Sequence, residues 1–131
     1  MVKEEGYKKL KIYQVSHKLA LEVHKMTLDL PKFELYEEGS QIRRSSKSVS
    51  SNIVEGFSLR RYKNEYIRYL FQSYASSQET IEHLDYLYET GSLKNKQLYK
   101  ELSKEYNALC GMIFNFTQSV YKQHETKIFD K

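Results

Sequence analysis

Pro31 is the only proline in a chain of 131 residues, and five glycines complete its inventory of strong helix breakers. Such a chain can run in long uninterrupted helices, because little else in it removes a backbone donor or frees the backbone enough to compete with helix. The apolar spacing agrees. Ile12, Val15, Leu19, Val23, Met26 and Leu30 recur every three or four residues, and Pro31 closes that run. Ser40 heads a second stripe of Ile42, Ser46, Val49, Ile53 and Phe57. Asn64 heads a third, from Tyr66 and Leu70 through Ser73, Ser77, Ile81 and Leu84 to Tyr88, which Thr90, Gly91 and Ser92 end. A fourth starts near Leu93 and carries Leu98, Leu102, Tyr106, Leu109, Ile113, Phe116 and Val120. No stretch alternates with the two-residue period of a strand. The predicted fold class is therefore all-α: one domain, an antiparallel up-and-down four-helix bundle, with helices over about residues 10–30, 40–57, 64–90 and 93–122. The segment KFELYEEGS reads as a loop or frayed turn, and a polar tail begins at about Gln123.

Composition limits the function classes. Hydrophobic residues at 40% and charged residues at 29% exclude a disordered chain. The single cysteine, Cys110, excludes a disulfide framework and suits a reducing compartment, so a cytoplasmic location is expected. No apolar run reaches membrane-spanning length, and MVKEEGYKKLK lacks the apolar core of a secretory signal, so no membrane partner is expected. Catalytic patterns are missing too. His17 and His24 stand seven apart, too far along a helix to share a metal, and His83 and His124 have no partner set in the sequence. Cys110 sits in an apolar segment, no glycine-rich phosphate loop is present, and no Arg is followed closely by a His as in some helical ribonucleases. The expectation is a protein that is not an enzyme and has no metal and no cofactor.

The net charge of +4 is less informative than its placement. Residues 41–70 hold seven basic and two acidic side chains, and residues 71–90 hold four acidic and no basic ones. If the second and third helices form a hairpin turning near Arg61, Arg44 meets the region of Gln78 and Glu79, and Glu55 meets Ile67 and Arg68. Both pairs are then ion pairs between helices. Arg43, Lys47, Arg60, Arg61 and Lys63 remain as a candidate nucleic-acid-binding patch, with Tyr62 and Tyr66 as rings on which an unpaired base can stack, and Arg44 stays open between ion pair and ligand contact. Self-association is expected as well. LCGMIFNF, residues 109–116, is apolar nearly all the way round its helix, and Leu21 and Leu28 lie off the inward stripe. Gly111 in mid-helix suits the close approach of another backbone, or is simply tolerated.

The run from Tyr13 to about Leu87 resembles the small four-helix-bundle proteins first noticed as reading frames inside intervening sequences of bacterial 23S ribosomal RNA genes. IYQVSHKLALEVHKMT looks like that family's first helix, LPKFELY like its Pro-containing loop, SQIRRSSKSVSSNIVEG like its signature second helix and RRYKNEYIRYL like the start of its third. Gln41, Arg43, Arg44, Ser51, Asn52, Ile53, Glu55 and Gly56 match the signature, as do Leu70, Ala75, Ser76, Glu79 and Leu84 in the next helix. Ser45 and Ser46 depart from it, standing where alanines are usual, as do Ser77 and Thr80, where leucines are expected. The family is similar to the accessory protein of diversity-generating retroelements. That resemblance implies a basic, barrel-shaped homopentamer of four-helix bundles that binds nucleic acid and a reverse transcriptase, with no catalytic activity. The function expected is nucleic-acid binding (RNA or DNA) with little sequence specificity. The competing reading is a protein-interaction scaffold, such as an accessory subunit of a reverse transcriptase, whose arginines merely join helices.

Overall fold

A computed structural model describes residues 6–127, with side chains described for residues 6–122. A 3-10 turn, Gly6–Lys9, leads into α1, Lys11–Thr27. Three more helices follow: α2, Glu38–Ser58; α3, Lys63–Glu89; and α4, Lys96–Lys127. Among the described residues there is no strand. Each helix packs on the next, and α4 packs back on α1, which closes a four-membered ring of neighbours. Cross-helix contacts run in opposite senses along successive helices. Ser45 faces Thr80 while Val49 faces Ser73, and Lys63 faces Tyr121 while Tyr88 faces Tyr99. The result is the expected antiparallel up-and-down bundle.

The inward stripes are largely those read from the sequence. Ile12, Leu19, Val23 and Met26 of α1, Ile42, Val49 and Ile53 of α2, Leu70 and Leu84 of α3, and Leu102, Tyr106, Leu109 and Ile113 of α4 are buried together. Val15, Leu30, Phe57, Ile81, Leu98 and Phe116 are only partly buried at its margin.

The ends of the helices differ from expectation. Pro31 starts a second 3-10 turn, Lys32–Tyr36, where a loop or frayed turn was expected, because the Glu34 N–H finds the Pro31 carbonyl at 2.9 Å. Glu34 then folds inward, only 4% exposed, and its carboxylate accepts the Glu38 N–H at 3.0 Å and the Ser92 hydroxyl at 2.6 Å. This carboxylate, and not Ser40, satisfies a free donor at the start of α2 and ties that start to the α3–α4 turn. Gly39 permits it: a Cβ there would run into the Glu34 carbonyl. Asn64 is not a cap either, since Tyr62 holds the N-cap position of α3 without a side-chain bond. Helix α4 begins at Lys96, not Leu93, because Asn95 Oδ1 accepts the Leu98 N–H at 3.0 Å. Leu93 instead plugs the connector, its N–H bonded to the Leu87 carbonyl at 2.9 Å across Gly91, whose φ is +88°. Helix α4 also continues through the start of the expected polar tail, to Lys127.

The hairpin of α2 and α3 is held by small residues. Ser73 Oγ donates to the Val49 carbonyl at 2.8 Å, the Ser48 and Ser76 hydroxyls are 2.9 Å apart, and Gly56 leaves only 3.0 Å between an added Cβ and Tyr69 Cβ. The departures from the family pattern fit this close approach. Ser45 and Thr80, both buried, bring their hydroxyls to 2.8 Å of each other. Ser77 donates to the Tyr74 carbonyl at 2.6 Å and lies 3.0 Å from Cys110 Sγ, and Ser46 donates to the Arg43 carbonyl at 3.1 Å. Each unusual hydroxyl has a partner, so none is a buried polar group left unsatisfied.

Candidate nucleic-acid interface

An antiparallel bundle gathers the start of α1, the end of α2, the start of α3 and the end of α4 at one pole. The contacts place them there. An added Gly6 Cβ would lie 3.9 Å from the Phe57 ring, and the Lys63 Nζ lies 4.7 Å from the centre of the Tyr121 ring. In this half of the molecule, residues 6–17, 48–75 and 112–122, there are eight Lys or Arg and two Glu, a net +6. Residues 18–47 and 76–111, the opposite half, carry ten basic and eleven acidic side chains, a net −1. The modest +4 of the chain is thus a strongly polarised distribution.

The turn between α2 and α3 is built tightly. Leu59, Arg60 and Tyr62 donate backbone bonds to Gly56, Phe57 and Leu59 at 3.0, 3.1 and 2.8 Å. The Arg60 guanidinium lies 4.0 Å over the Phe57 ring and donates to the Phe57 carbonyl at 3.0 Å, where its charge complements the C-terminal end of α2. Arg60, Arg61 and Tyr62 are exposed, and Lys63 is half-buried. Lys8, Lys9, Lys11 and Lys122, all exposed, join them from the start of α1 and the end of α4. These four lysines fall outside the patch inferred from the sequence, because charge was summed along the chain, whereas the fold sums it by pole. Pairing the helix ends of an up-and-down bundle would have found them.

The residues expected to form one patch do not all meet. Arg44 precedes Arg60 by sixteen residues, roughly 24 Å along a helix. Arg43 is drawn inward: it is half-buried, and its Nη2 donates to the Leu35 carbonyl at 2.8 Å, fastening the second 3-10 turn to α2. Arg44 and Lys47 are exposed, but in the other half of the molecule. The expected ion pairs between helices are absent among the described residues. The register that would allow them is present, yet Glu79 lies 3.3 Å from His83, and Arg68 bonds Glu65 of its own helix at 2.8 Å. His83, expected to lack partners, also reaches Glu38 of α2 at 2.7 Å. The His124 side chain lies outside the described residues.

Of the two rings expected to stack on bases, one is exposed. Tyr62 is 57% exposed, whereas Tyr66 is 4% exposed and packs edge-on between Phe57 and Phe116, at centroid distances of 6.5 and 6.2 Å. Burial pushes the Tyr66 phenol up to about 12, with the Arg60 charge pulling the other way. Tyr121, which sequence reasoning did not select, is 60% exposed beside Lys63.

Elsewhere, a groove of about 480 Å³ at the opposite pole is lined by Met26, Leu30, Pro31, Leu93 and Leu98 with Asp29. Among the described residues no three His, Cys, Asp or Glu side chains group to hold a metal ion, and no helix is long and apolar enough to cross a membrane. On the apolar segment of α4, Leu109, Cys110 and Ile113 face the core, but Phe114 is 45% exposed and adjoins Tyr74 and the outer face of α3, where Phe71 is also exposed. Gly111 has open space where a Cβ would stand, so no close approach within the chain accounts for it.

The RR and SNIVEG segments lie on the second helix of this all-helical bundle. The chain belongs to the 23S rRNA-intervening sequence protein family, whose model matches residues 8–115. The match takes in α1, α2, α3 and most of α4, which bears out the resemblance read from the signature segments. No curated protein matches the chain.

Proposed function

We propose that the protein is a non-catalytic, self-associating bundle of the cytoplasm that binds nucleic acid through phosphate contacts at its basic pole, with little sequence specificity. The observation that carries this reading is the polarisation of charge, a net +6 in one half of the molecule against −1 in the other. Lys8, Lys9, Lys11, Arg60, Arg61, Lys63 and Lys122 supply the phosphate contacts, while Arg43 serves the fold and Arg44 with Lys47 forms a weaker second site. Self-association is supported by exposed apolar side chains on two sides, Phe71 and Phe114 on the α3–α4 face and Leu21 and Leu28 on α1. Two unlike patches suit a heterologous contact, which closes into a ring when the rotation allows, and the family resemblance favours five members. A ring repeats the basic pole and multiplies a modest patch by avidity.

Affinity for a generic nucleic acid should fall steeply with salt, with a log–log slope of about −0.7 to −0.9 per phosphate contacted. A flat response would refute phosphate binding. The same apolar faces favour a second reading, a scaffold for a protein partner. That reading gains if the purified protein carries no nucleic-acid absorbance at 260 nm and shows no salt-sensitive binding.

A further inference from the structure

We infer that the basic pole selects unpaired strands over duplex, RNA or DNA, by stacking bases on Tyr62 and Tyr121. The inference rests on the nucleic-acid reading and adds the form of polymer bound. Phosphate contacts alone do not distinguish a single strand from a duplex of similar charge. Exposed rings do, because every unpaired base offers a face that a duplex keeps inside its stack.

The pole provides such rings with cations beside them. Among the aromatic side chains described there, Tyr62 and Tyr121 are the most exposed, at 57% and 60%. Lys63 holds its ammonium 4.7 Å from the centre of the Tyr121 ring and lines one recess with Tyr62, so the cation is shared by the surroundings of both rings. A strand whose phosphate meets Lys63 passes the Tyr121 ring and the recess beside Tyr62, where its bases can stack. Beside Tyr62 lies a recess of about 320 Å³, lined by Tyr62, Lys63, Asn64 and Glu65. The Glu65 carboxylate is neutralised at 2.8 Å by Arg68, which reduces its repulsion of a phosphate in that recess. Arg61, on the turn immediately before Tyr62, is exposed and extends the cationic path. Rings and ammonium groups carry no base-edge pattern, so the selectivity is for strandedness and not for sequence.

The test is fluorescence anisotropy on the full-length protein at one ionic strength, with a labelled oligo-dT and an oligo-U of about 20 nucleotides and a DNA duplex of the same length. Either single strand should bind about tenfold tighter than duplex, and the tighter of the two identifies the polymer. Tyr62→Ala combined with Tyr121→Ala should weaken single-strand binding by about tenfold or more and leave duplex binding unchanged, while Tyr62→Phe with Tyr121→Phe should keep it. Both rings are exposed, so the alanine variants keep the fold, and circular dichroism checks this. Duplex binding as tight as single-strand binding, or equal losses on both when the rings are removed, would overturn the inference and leave phosphate binding standing. Failure of the wild-type protein to bind any of the three probes would overturn both.

Discussion

Gly39→Ala should unfold the protein more readily even though alanine is the better helix former. The substitution removes a glycine from the first turn of α2 and so gains at most about 1 kcal/mol of propensity. Against that gain, the new Cβ meets the Glu34 carbonyl, a backbone group with no rotamer by which to withdraw. Relief requires the second 3-10 turn to move away from α2. Two bonds cross that seam, Glu34 Oε1 to the Glu38 N–H at 3.0 Å and Arg43 Nη2 to the Leu35 carbonyl at 2.8 Å, and a third, Glu34 Oε2 to the Ser92 hydroxyl at 2.6 Å, ties the same turn to the α3–α4 connector. Each has a charged partner and is worth about 1.5–3 kcal/mol. Losing two of them, less the propensity gained, leaves a net destabilisation of about 2–5 kcal/mol. For a chain of this size that lowers Tm by about 10 °C. Gly111→Ala is the matched control. The same propensity gain applies, and nothing lies within 4 Å of the added Cβ, so it should stabilise the unassociated chain by about 1 kcal/mol. Urea melts of both variants at low protein concentration decide the matter, and a Gly39→Ala protein as stable as its parent would refute the role given to the Glu34 turn.

Further outcomes follow from other contacts. A double-mutant cycle of Ser45→Ala and Thr80→Val should show a coupling of about 1 kcal/mol, because the 2.8 Å contact between their hydroxyls spans two helices; additive losses would dissolve that pairing. Tyr66 keeps its proton up to about pH 12 when folded but ionises near 10.0 when unfolded, so the unfolded chain binds fewer protons in that interval and stability falls as pH rises through it. The slope from Tyr66 is about 1.4 kcal/mol per pH unit between about pH 10 and pH 12 and zero below pH 10, where its full contribution is present, and Tyr66→Phe should remove it from a plot of denaturation midpoint against pH. Light scattering should show an oligomer at micromolar concentration, and Phe71→Glu with Phe114→Glu should dissociate it without loss of helicity; a monomeric parent would end the self-association proposal.

Much of the fold was legible because it depends on periodicity. The spacing of Leu19, Val23, Ile42, Val49, Ile53, Leu102, Leu109 and Ile113 places all of them in the core. Helix ends were less legible, since they rest on single side chains acting from a distance: Glu34 caps α2 from four residues upstream, and Asn95 stops α4 from reaching back to Leu93. The candidate patch was legible only in part. Arg60, Arg61, Lys63 and Tyr62 do share one turn, yet Arg43 is spent on the Leu35 carbonyl and Tyr66 on the core. Lys8, Lys9, Lys11, Lys122 and Tyr121 join the pole only through topology, which no local run of residues displays.

The account stands or falls on where a nucleic acid touches the bundle. Two charge-reversal variants compare the places directly by anisotropy across a salt series: Lys9→Glu with Arg60→Glu and Arg61→Glu at the basic pole, and Arg44→Glu with Lys47→Glu in the other half. The polar set should lower affinity by about tenfold or more and flatten the log–log salt slope by about 2 to 3. The Arg44 and Lys47 set should change affinity by less than about threefold. Equal losses from the two sets, or a larger loss from Arg44 and Lys47, would contradict the assignment of binding to the pole.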